Sequence, residues 1–318
     1  MKELIYNNEK EIRLDHYLKE VLPHISRTKI QKLIKSGSIK VDKLIVKPSF
    51  ILKNKNIIFY SEPAPMKDYG NIIPEEMKLD VIHEDEHIIV INKPSGIVVH
   101  PGAGNKDGTL INGMLYHFNK LSSVDSLRPG LIHRLDKYTS GVIVFAKTDE
   151  SHYFISSQFA ERKVRKNYKA LVWGNLIKSN KISGYIIRDP KNRLAYTTHD
   201  NRGKLSSTTF NIIKNYNIPI TMLDVFPHTG RTHQIRVHLS SIGHPIMNDD
   251  LYGGSDKKIK SFHAKYTSNF KSINKIIDRV ALHASNIEFF HPLNNKKVSF
   301  EAPLPKDFLN VIKNLELL

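Results

Sequence analysis

The first sixty residues show the hydrophobic pattern of a small unit with two helices and short strands. Apolar residues three or four positions apart predict a first helix that Pro23 ends, on a face formed by Leu14, Tyr17, Leu18, Val21 and Leu22. A second helix ends at Gly37 and buries Ile30, Leu33 and Ile34. The alternation that follows predicts short strands over 39–46 and 50–60.

The regular pattern then breaks. Pro63, Pro65, Gly70 and Pro74 lie in a stretch with few apolar residues that could anchor it. Proline and glycine at this density interrupt both helices and strands. We therefore predict a first domain over 1–62 and a flexible linker over 63–78.

From residue 79 to residue 318 the pattern is rich in strands. Strands are predicted over 88–91, 97–99, 141–146, 168–173, 208–213 and 222–226. Helical spacing is less frequent and occurs over 109–118, 150–161 and 273–280. The polar, lysine-rich residues 255–272 suggest a surface loop. Because strands outnumber helices without alternating regularly with them, we expect an α+β catalytic domain with a large mixed, mainly antiparallel β-sheet and flanking helices.

Composition adds a first functional indication. The chain has 318 residues, 48 Lys+Arg against 31 Asp+Glu, and therefore a formal net charge of +17. Such a charge suggests a polyanionic partner such as nucleic acid, or serves only to keep the chain in solution. The absence of cysteine excludes disulfides, thiol nucleophiles and cysteine-ligated metals. No signal peptide or membrane-length apolar stretch is present, so a soluble, cytoplasmic protein without membrane contacts is expected.

The second predicted helix and the loop after it are strongly basic. Seven cations and one acid, Asp42, fall within 27–47, and the cations are Arg27, Lys29, Lys32, Lys35, Lys40, Lys43 and Lys47. Their placement forms a one-sided basic face of the kind that contacts an RNA backbone. A solvated helix face is the alternative that charge alone leaves open.

The strongest candidate for chemistry is the segment GLIHRLDKYTSGVIVFAK at 130–147. Asp136 stands among cations, before a turn that leads directly into an apolar strand, where a carboxylate stays ionised and accessible. An Asx-turn that satisfies the local backbone is the alternative. A protein-kinase loop also starts with His-Arg, but here Leu135 separates Arg134 from the Asp, and no glycine-rich phosphate loop accompanies it.

Two further segments carry polar clusters without a cofactor motif. Residues 228–254 contain Arg236 and several histidines, whose spacings match no standard zinc pattern, and the segment suits either a strand or a helix. Gly102, Gly104 and Gly108 resemble a nucleotide-binding loop, but the third glycine comes one position too late. We expect neither a metal nor a cofactor.

Together these segments resemble the RluA-type family of pseudouridine synthases over residues 79–310. The family signature HRLD-x-x-T-S/T-G stands here at 133–141, and KNYKALVWG, TGRTHQIRVHL, GHPI and ALHA follow in the family order. Residues 11–62 are similar to an S4 RNA-binding domain. One departure is Asn248, where similar proteins have glycine before Asp249; since Asn tolerates positive φ well, the loop should survive.

The resemblance implies roles for individual residues. Asp136 corresponds to the catalytic carboxylate, Arg236 to the cation that pairs with it, and Tyr168 to the ring that stacks on the base and takes the C5 proton. Arg134 corresponds to the residue that fills the stack vacated by a flipped uridine, and His133 beside it is expected to contact RNA. The reaction needs no cofactor.

The resemblance also suggests a substrate. The segment that follows NKPSG is most similar to members that modify a stem-loop of large-subunit ribosomal RNA. Another ribosomal or transfer RNA site remains the alternative, and no obligate protein partner is evident. A non-catalytic S4 protein is disfavoured by the intact HRLD signature. An S4-bearing methyltransferase is disfavoured by the lack of a glycine-rich cofactor loop.

Overall fold

A computed structural model describes residues 2–22, 27–60, 72–102 and 104–318. They form two compact units: residues 1–70 with the short segment 123–126, and residues 71–122 with 127–318. No helix among the described residues is long and apolar enough to cross a membrane.

The first unit contains the two helices that its hydrophobic pattern predicts. Its elements are β1 (Lys2–Ile5), β2 (Ile12–Arg13), α1 (Leu14–Val21), α2 (Arg27–Lys35), β3 (Ile39–Val41), β4 (Ile51–Leu52) and β5 (Ile57–Tyr60). β5 lies between β1 and β3 in an antiparallel sheet, and β2 pairs with β4. Leu14, Leu18 and Ile30 are fully buried in the core. The predicted strand over 50–60 is interrupted, because Lys55 adopts a left-handed conformation at φ 71°.

The second unit contains a ten-stranded, mainly antiparallel sheet with helices beside it, which confirms the predicted fold class. Its strands are β6 (Val81–Glu84), β7 (Ile88–Lys93), β8 (Ser140–Ala146), β9 (Arg165–Trp173), β10 (Asn180–Arg188), β11 (Tyr196–His199), β12 (Lys204–Asn215), β13 (Ile220–Pro227), β14 (Leu282–Phe290) and β15 (Lys297–Glu301). Its helices are α3 (Leu110–His117), α4 (Asp149–Ala160), α5 (Gln234–Ser241), α6 (Asp256–Ile259), α7 (Thr267–Asn274) and α8 (Lys306–Glu316).

The strand order in this sheet is β11-β10-β12-β13-β9-β14-β8-β7-β6, and β15 pairs with β14. β14 runs antiparallel to β9 and parallel to β8. The late strand β14 therefore separates two parts of the sheet that the chain completes earlier. One part, from β6 to β8, carries the HRLD signature just before β8, and the other carries Tyr168 on β9.

Three predictions about local structure are wrong. Residues 97–99 are not a strand, since the Val98 and Val99 carbonyls instead accept N–H groups from the start of α3. Residues 255–272 are not only a surface loop: α6 and part of α7 lie there, and Phe270 packs edge-on against Trp173 at 4.9 Å between ring centroids. The helix predicted over 273–280 lies earlier in the chain: α7 ends at Asn274, and its buried face begins at Phe270.

Part of the predicted linker packs on the second unit. Residues 63–71 lie outside the described residues. Further along, Ile72 and Met77 contact the core formed around β7 and β8. The Asn112 side chain donates to the Ile73 carbonyl at 2.8 Å, and the Glu75 carboxylate accepts the Gly108 N–H at 3.1 Å. Two apolar side chains and these hydrogen bonds to backbone groups together anchor residues 72–78, although the high density of proline and glycine around them predicts a flexible segment.

Candidate active site

Asp136 lies in the turn that leads into β8. Its backbone carbonyl accepts the Thr139 N–H at 3.1 Å. Its carboxylate faces outward from the turn: Oδ2 lies 3.3 Å from Arg236 Nη1, and Oδ1 lies 3.9 Å from His233 Nε2. The side chain keeps 21% of its surface exposed. In the described part of the chain the Asp136 carboxylate faces these two side chains and accepts no local backbone N–H, so the Asx-turn alternative is not supported.

The start of β8 is fixed by its parallel contact with β14. The Ser140 hydroxyl lies 2.9 Å from Nδ1 of the buried His283, whose Nε2 lies 3.1 Å from the Ala302 carbonyl. Gly141 has φ 114°, and a Cβ at this position would come within 2.1 Å of the Ala284 oxygen. The last position of the signature must therefore be glycine, because any side chain would push β8 away from β14.

Arg236 lies on α5, which settles segment 228–254 as helical around this residue. Its Nε and Nη2 donate to Asp249 at 2.7 and 2.8 Å, and Asp249 is completely buried. Asn248 has φ 57° and its side-chain amide donates to the Ile277 carbonyl, so the departure from glycine is accommodated as predicted. The contact between Asp249 and Arg236 was not predicted, because in the sequence Asp249 stands out only as the residue after Asn248.

Tyr168 lies on β9 and lines a cavity of about 470 Å³ together with Asp136. Burial, reinforced by the negative charge of Asp136, raises the pKa of the Tyr168 phenol well above its ordinary range. The hydroxyl is therefore protonated at neutral pH. Lys166, two residues earlier on the same face of the strand, lines the same cavity, and burial lowers its pKa to about 8.

Arg134 and His133 differ in their surroundings. Arg134 is exposed and lines both the Tyr168 cavity and a second one of about 850 Å³ that also contains Arg236. His133 accepts the Val144 N–H through Nε2 at 3.0 Å and stacks on Phe159 at 5.0 Å. Burial, together with the nearby Lys166 ammonium, lowers the pKa of His133 to about 3, so the ring is neutral. These contacts hold the HRLD turn against β8 and α4, and contact of His133 with RNA stays a prediction.

A buried lysine also supports this turn. Lys93, at the end of β7, is fully buried, and its ammonium donates to the carbonyls of Pro94, Ile97 and Lys137 at 2.7, 2.9 and 3.1 Å. Burial lowers the pKa of Lys93 to about 7, although the charge of Asp136 opposes that shift. Lys93 thus connects the NKPSG loop to the residue that follows Asp136.

One group of side chains in the described residues has the composition of a metal site. His83 Nε2 and His291 Nε2 lie 3.0 and 2.8 Å from Asp85 Oδ2. Nδ1 of His291, however, accepts the Leu293 N–H at 3.3 Å, which places the proton of the neutral ring on Nε2. A metal at Nε2 would require that proton on Nδ1, against the Leu293 N–H. The group is better suited to holding the β6–β7 turn against the residues after β14.

In the first unit, one arginine of the predicted basic face has an acidic partner. Arg27 donates to the buried Asp15 at 2.9 Å, and Arg13 and Gln31 bind the same carboxylate at 3.0 and 2.7 Å. Burial alone would raise the pKa of Asp15, but these hydrogen bonds outweigh it and lower the pKa far below its usual range. Asp15 therefore keeps its charge and holds both arginines in place.

The other lysines that are predicted to bind RNA have different surroundings in this unit. Lys35 and Lys47 line a surface cavity of about 560 Å³ that also includes Arg13. Lys43 is exposed in a left-handed turn, at φ 66°. The side chains of Lys29 and Lys32 lie outside the described part of the molecule, so their placement stays a prediction.

Comparisons with known proteins match two families along this chain. Residues 87–241 match the RNA pseudouridylate synthase family, and residues 12–58 match the S4 domain. A protein of Zymomonas mobilis named ribosomal large subunit pseudouridine synthase D is 38% identical over 95% of this chain and 93% of its own length. The chain belongs to the RNA pseudouridine synthase family. It is an isomerase that acts on RNA.

Other members of this family extend the comparison. A protein of Aquifex aeolicus named uncharacterized RNA pseudouridine synthase is 40% identical over 96% of this chain and 95% of its own. The solved structure of Human RNA Pseudouridylate Synthase Domain Containing 1 is 25% identical, with a TM-score of 0.54 over 72% of this chain and 84% of that one. The similarity therefore covers both the sequence and the catalytic fold.

Proposed function

We propose that this pseudouridine synthase isomerises uridines in a stem-loop of large-subunit ribosomal RNA, with Asp136 as its catalytic carboxylate. The observation that carries the catalytic proposal is the position of Asp136, paired with Arg236 and facing the Tyr168 cavity. The ribosomal target is supported by relatives named ribosomal large subunit pseudouridine synthase D and by the S4 domain. A second RNA-binding module is useful where a single flipped base offers little sequence information.

The reaction detaches uracil from C1′ of the ribose, turns it and reattaches it through C5, with no change in composition. Asp136 acts on the sugar either by attacking C1′ or by removing the C2′ proton. Arg236 directs the carboxylate at the sugar through its Nη1 contact. Both routes need the carboxylate, and both therefore place the sugar within reach of Asp136.

Tyr168 and Arg134 serve the base and the RNA stack. A uridine in folded RNA must leave the stack to reach the half-buried ring of Tyr168 in its cavity, at an unstacking cost of about a few kcal/mol. The planar guanidinium of Arg134 is suited to filling the vacated place. The Tyr168 ring stacks on the base. Because its phenol is protonated at neutral pH, the oxygen can accept the C5 proton only if it transfers its own proton to another group.

Asp136→Asn tests the catalytic proposal. Tritium release from RNA labelled at uridine C5 should fall at least a thousandfold, while RNA affinity and melting temperature stay close to wild type. Asp107→Asn, at an exposed acid of the second unit, is the matched control. Activity of Asp136→Asn within tenfold of wild type would remove the assignment.

The target is tested separately on unmodified transcripts. Fragments of large-subunit ribosomal RNA, small-subunit ribosomal RNA and transfer RNA are incubated with the enzyme, and pseudouridine is mapped by chemical labelling. We expect conversion in one stem-loop of the large-subunit fragments. Conversion confined to another RNA would leave the catalytic proposal intact and refute the target.

A further inference from the structure

His233 occupies a backbone conformation that is unusual for its residue type. It precedes α5 with φ 54° and ψ 19°, in the left-handed region, while its carbonyl accepts the Val237 N–H at 2.9 Å. Non-glycine residues adopt this conformation rarely, and such outliers concentrate at functional sites. The consequence here is that the His233 ring faces Asp136.

The imidazole is held from its other side by Tyr252. Nδ1 of His233 lies 2.8 Å from the Tyr252 hydroxyl, and the same hydroxyl oxygen accepts the Tyr196 backbone N–H at 2.9 Å. Since the backbone N–H can only donate, the single phenolic proton is free to point at Nδ1. The remaining ring proton of a neutral His233 then lies on Nε2, the nitrogen nearest Asp136.

The rings around His233 leave it little freedom to turn. Tyr196 and Tyr252 contact the imidazole edge-on, at 5.7 and 5.6 Å between centroids. The Arg236 guanidinium lies 4.9 Å from the centroid of the Tyr252 ring. Tyr252 therefore touches both groups that face the Asp136 carboxylate, Arg236 through its ring and His233 through its hydroxyl.

The two oxygens of Asp136 thus face different partners. Oδ2 receives Arg236 Nη1 at 3.3 Å, whereas Oδ1 lies 3.9 Å from His233 Nε2. A movement of about 1 Å on substrate binding would bring Nε2 within hydrogen-bonding distance. Burial lowers the pKa of His233, and this favours a neutral donor that does not neutralise the carboxylate.

We propose that His233 is a positioning residue for Asp136, and that the Tyr252 hydroxyl holds its imidazole as the Nε2–H tautomer. This inference rests on the proposed catalytic role of Asp136. Tyr252 acts through His233, because it fixes the tautomer of the imidazole. His233 then orients Oδ1 of Asp136, and Arg236 holds Oδ2. Together they set the direction in which the carboxylate meets the sugar.

Two variants separate this role from simple packing. Tyr252→Phe keeps the ring and removes the hydroxyl, whereas His233→Asn removes the imidazole and keeps a residue that tolerates left-handed backbone. We expect each to lower kcat about tenfold with an unchanged KM for RNA. The double variant should lose no more than either single variant, because the two residues act in series. Tyr216→Phe, at a buried tyrosine whose hydroxyl contacts Met222, is the matched control and should keep wild-type kcat.

Nitrogen-15 NMR of labelled protein provides a readout that packing alone would not move. The wild-type His233 ring should show the Nε2–H tautomer, and Tyr252→Phe should shift it toward Nδ1–H. A wild-type Nδ1–H tautomer, additive losses in the double variant, or full activity of Tyr252→Phe would each overturn the inference. Full activity of Asp136→Asn would instead show that the proposed role of Asp136 fails.

Discussion

Arg236 is bound more closely by Asp249 than by Asp136. Two guanidinium nitrogens meet the buried Asp249 carboxylate at 2.7 and 2.8 Å, and the third reaches Asp136 at 3.3 Å. The position of Arg236 is therefore set by Asp249. The remaining guanidinium nitrogen, Nη1, donates to Asp136. Arg236 thus pairs with two carboxylates at once, the buried Asp249 and Asp136, which lines the Tyr168 cavity.

Replacing Asp249 should damage both stability and catalysis. Asp249→Leu leaves a buried guanidinium without its partner, so the free energy of unfolding should drop by about 3 kcal/mol or more. Asp249→Asn keeps the volume and should lose less stability, but turnover should fall because Arg236 is no longer fixed. Urea unfolding and tritium release measure the two effects. Asp250→Asn, at the exposed neighbouring residue, should change neither.

Tyr168→Phe should distinguish stacking from proton transfer. The ring remains available to the base, so RNA affinity should stay within about twofold of wild type, while turnover falls at least a hundredfold. Filter binding and single-turnover kinetics provide the two measurements. If Tyr168→Phe turns over at the wild-type rate, the phenol has no chemical role and only the ring contributes.

Gly141→Ala should be destabilising out of proportion to the size of a methyl group. The added Cβ would meet the Ala284 carbonyl, and φ at this position is 114°. Forcing β8 away from β14 should lower the free energy of unfolding by about 2–4 kcal/mol and displace Asp136. Thermal unfolding and turnover test this expectation. Gly102→Ala, where a Cβ meets nothing within 4 Å, is the control.

RNA binding should weaken as the pH rises through about 8 if Lys166 contacts a phosphate. Burial lowers the pKa of Lys166 to about 8, so its ammonium charge is present below that pH and is lost above it. Between pH 7 and 9 the affinity of the wild type should fall about fivefold more than that of Lys166→Arg, which stays charged. Parallel pH dependences of Kd in the two proteins would contradict a phosphate contact.

The lysines of the first unit should contribute to RNA affinity through salt-dependent contacts. Lys35 and Lys47 line the same cavity, so replacing both with glutamine should reduce the slope of log K against log salt by about 1 to 2. Turnover at saturating RNA should not change. The matched control replaces the exposed Lys306 and Lys313 on α8. Equal slopes in both double variants would refute an RNA role for this cavity.

Structure could be predicted best where a short segment has a distinctive pattern of its own. The helices of the first unit, the strands β7 and β8, and the HRLD turn all have a local pattern, and the resemblance implied the contact between Asp136 and Arg236. The neighbours of these residues could not be predicted. Tyr252 reaches His233 from 19 positions away, and only the fold brings the hydroxyl to Nδ1.

The errors have a similar origin. Val99 is buried and apolar like a strand residue, yet its carbonyl serves the start of α3. Phe270 lies in a lysine-rich stretch whose composition suggests a loop, although its ring fills the space beside Trp173. Burial of a residue depends on which distant element packs against it. Neither the composition nor the hydrophobic periodicity of a segment shows this.

The position of β14 has a consequence for when the enzyme can first act. Asp136 precedes β8 and Tyr168 lies on β9, and in the described part of the chain the strand between β8 and β9 in the sheet is β14, at residues 282–290. A growing chain can carry the entire HRLD signature and every strand up to β13 without being able to assemble the site. Assembly of the site therefore has to wait for residues 282–290, far along the chain from Asp136 and Tyr168, because β14 must pair with both β8 and β9.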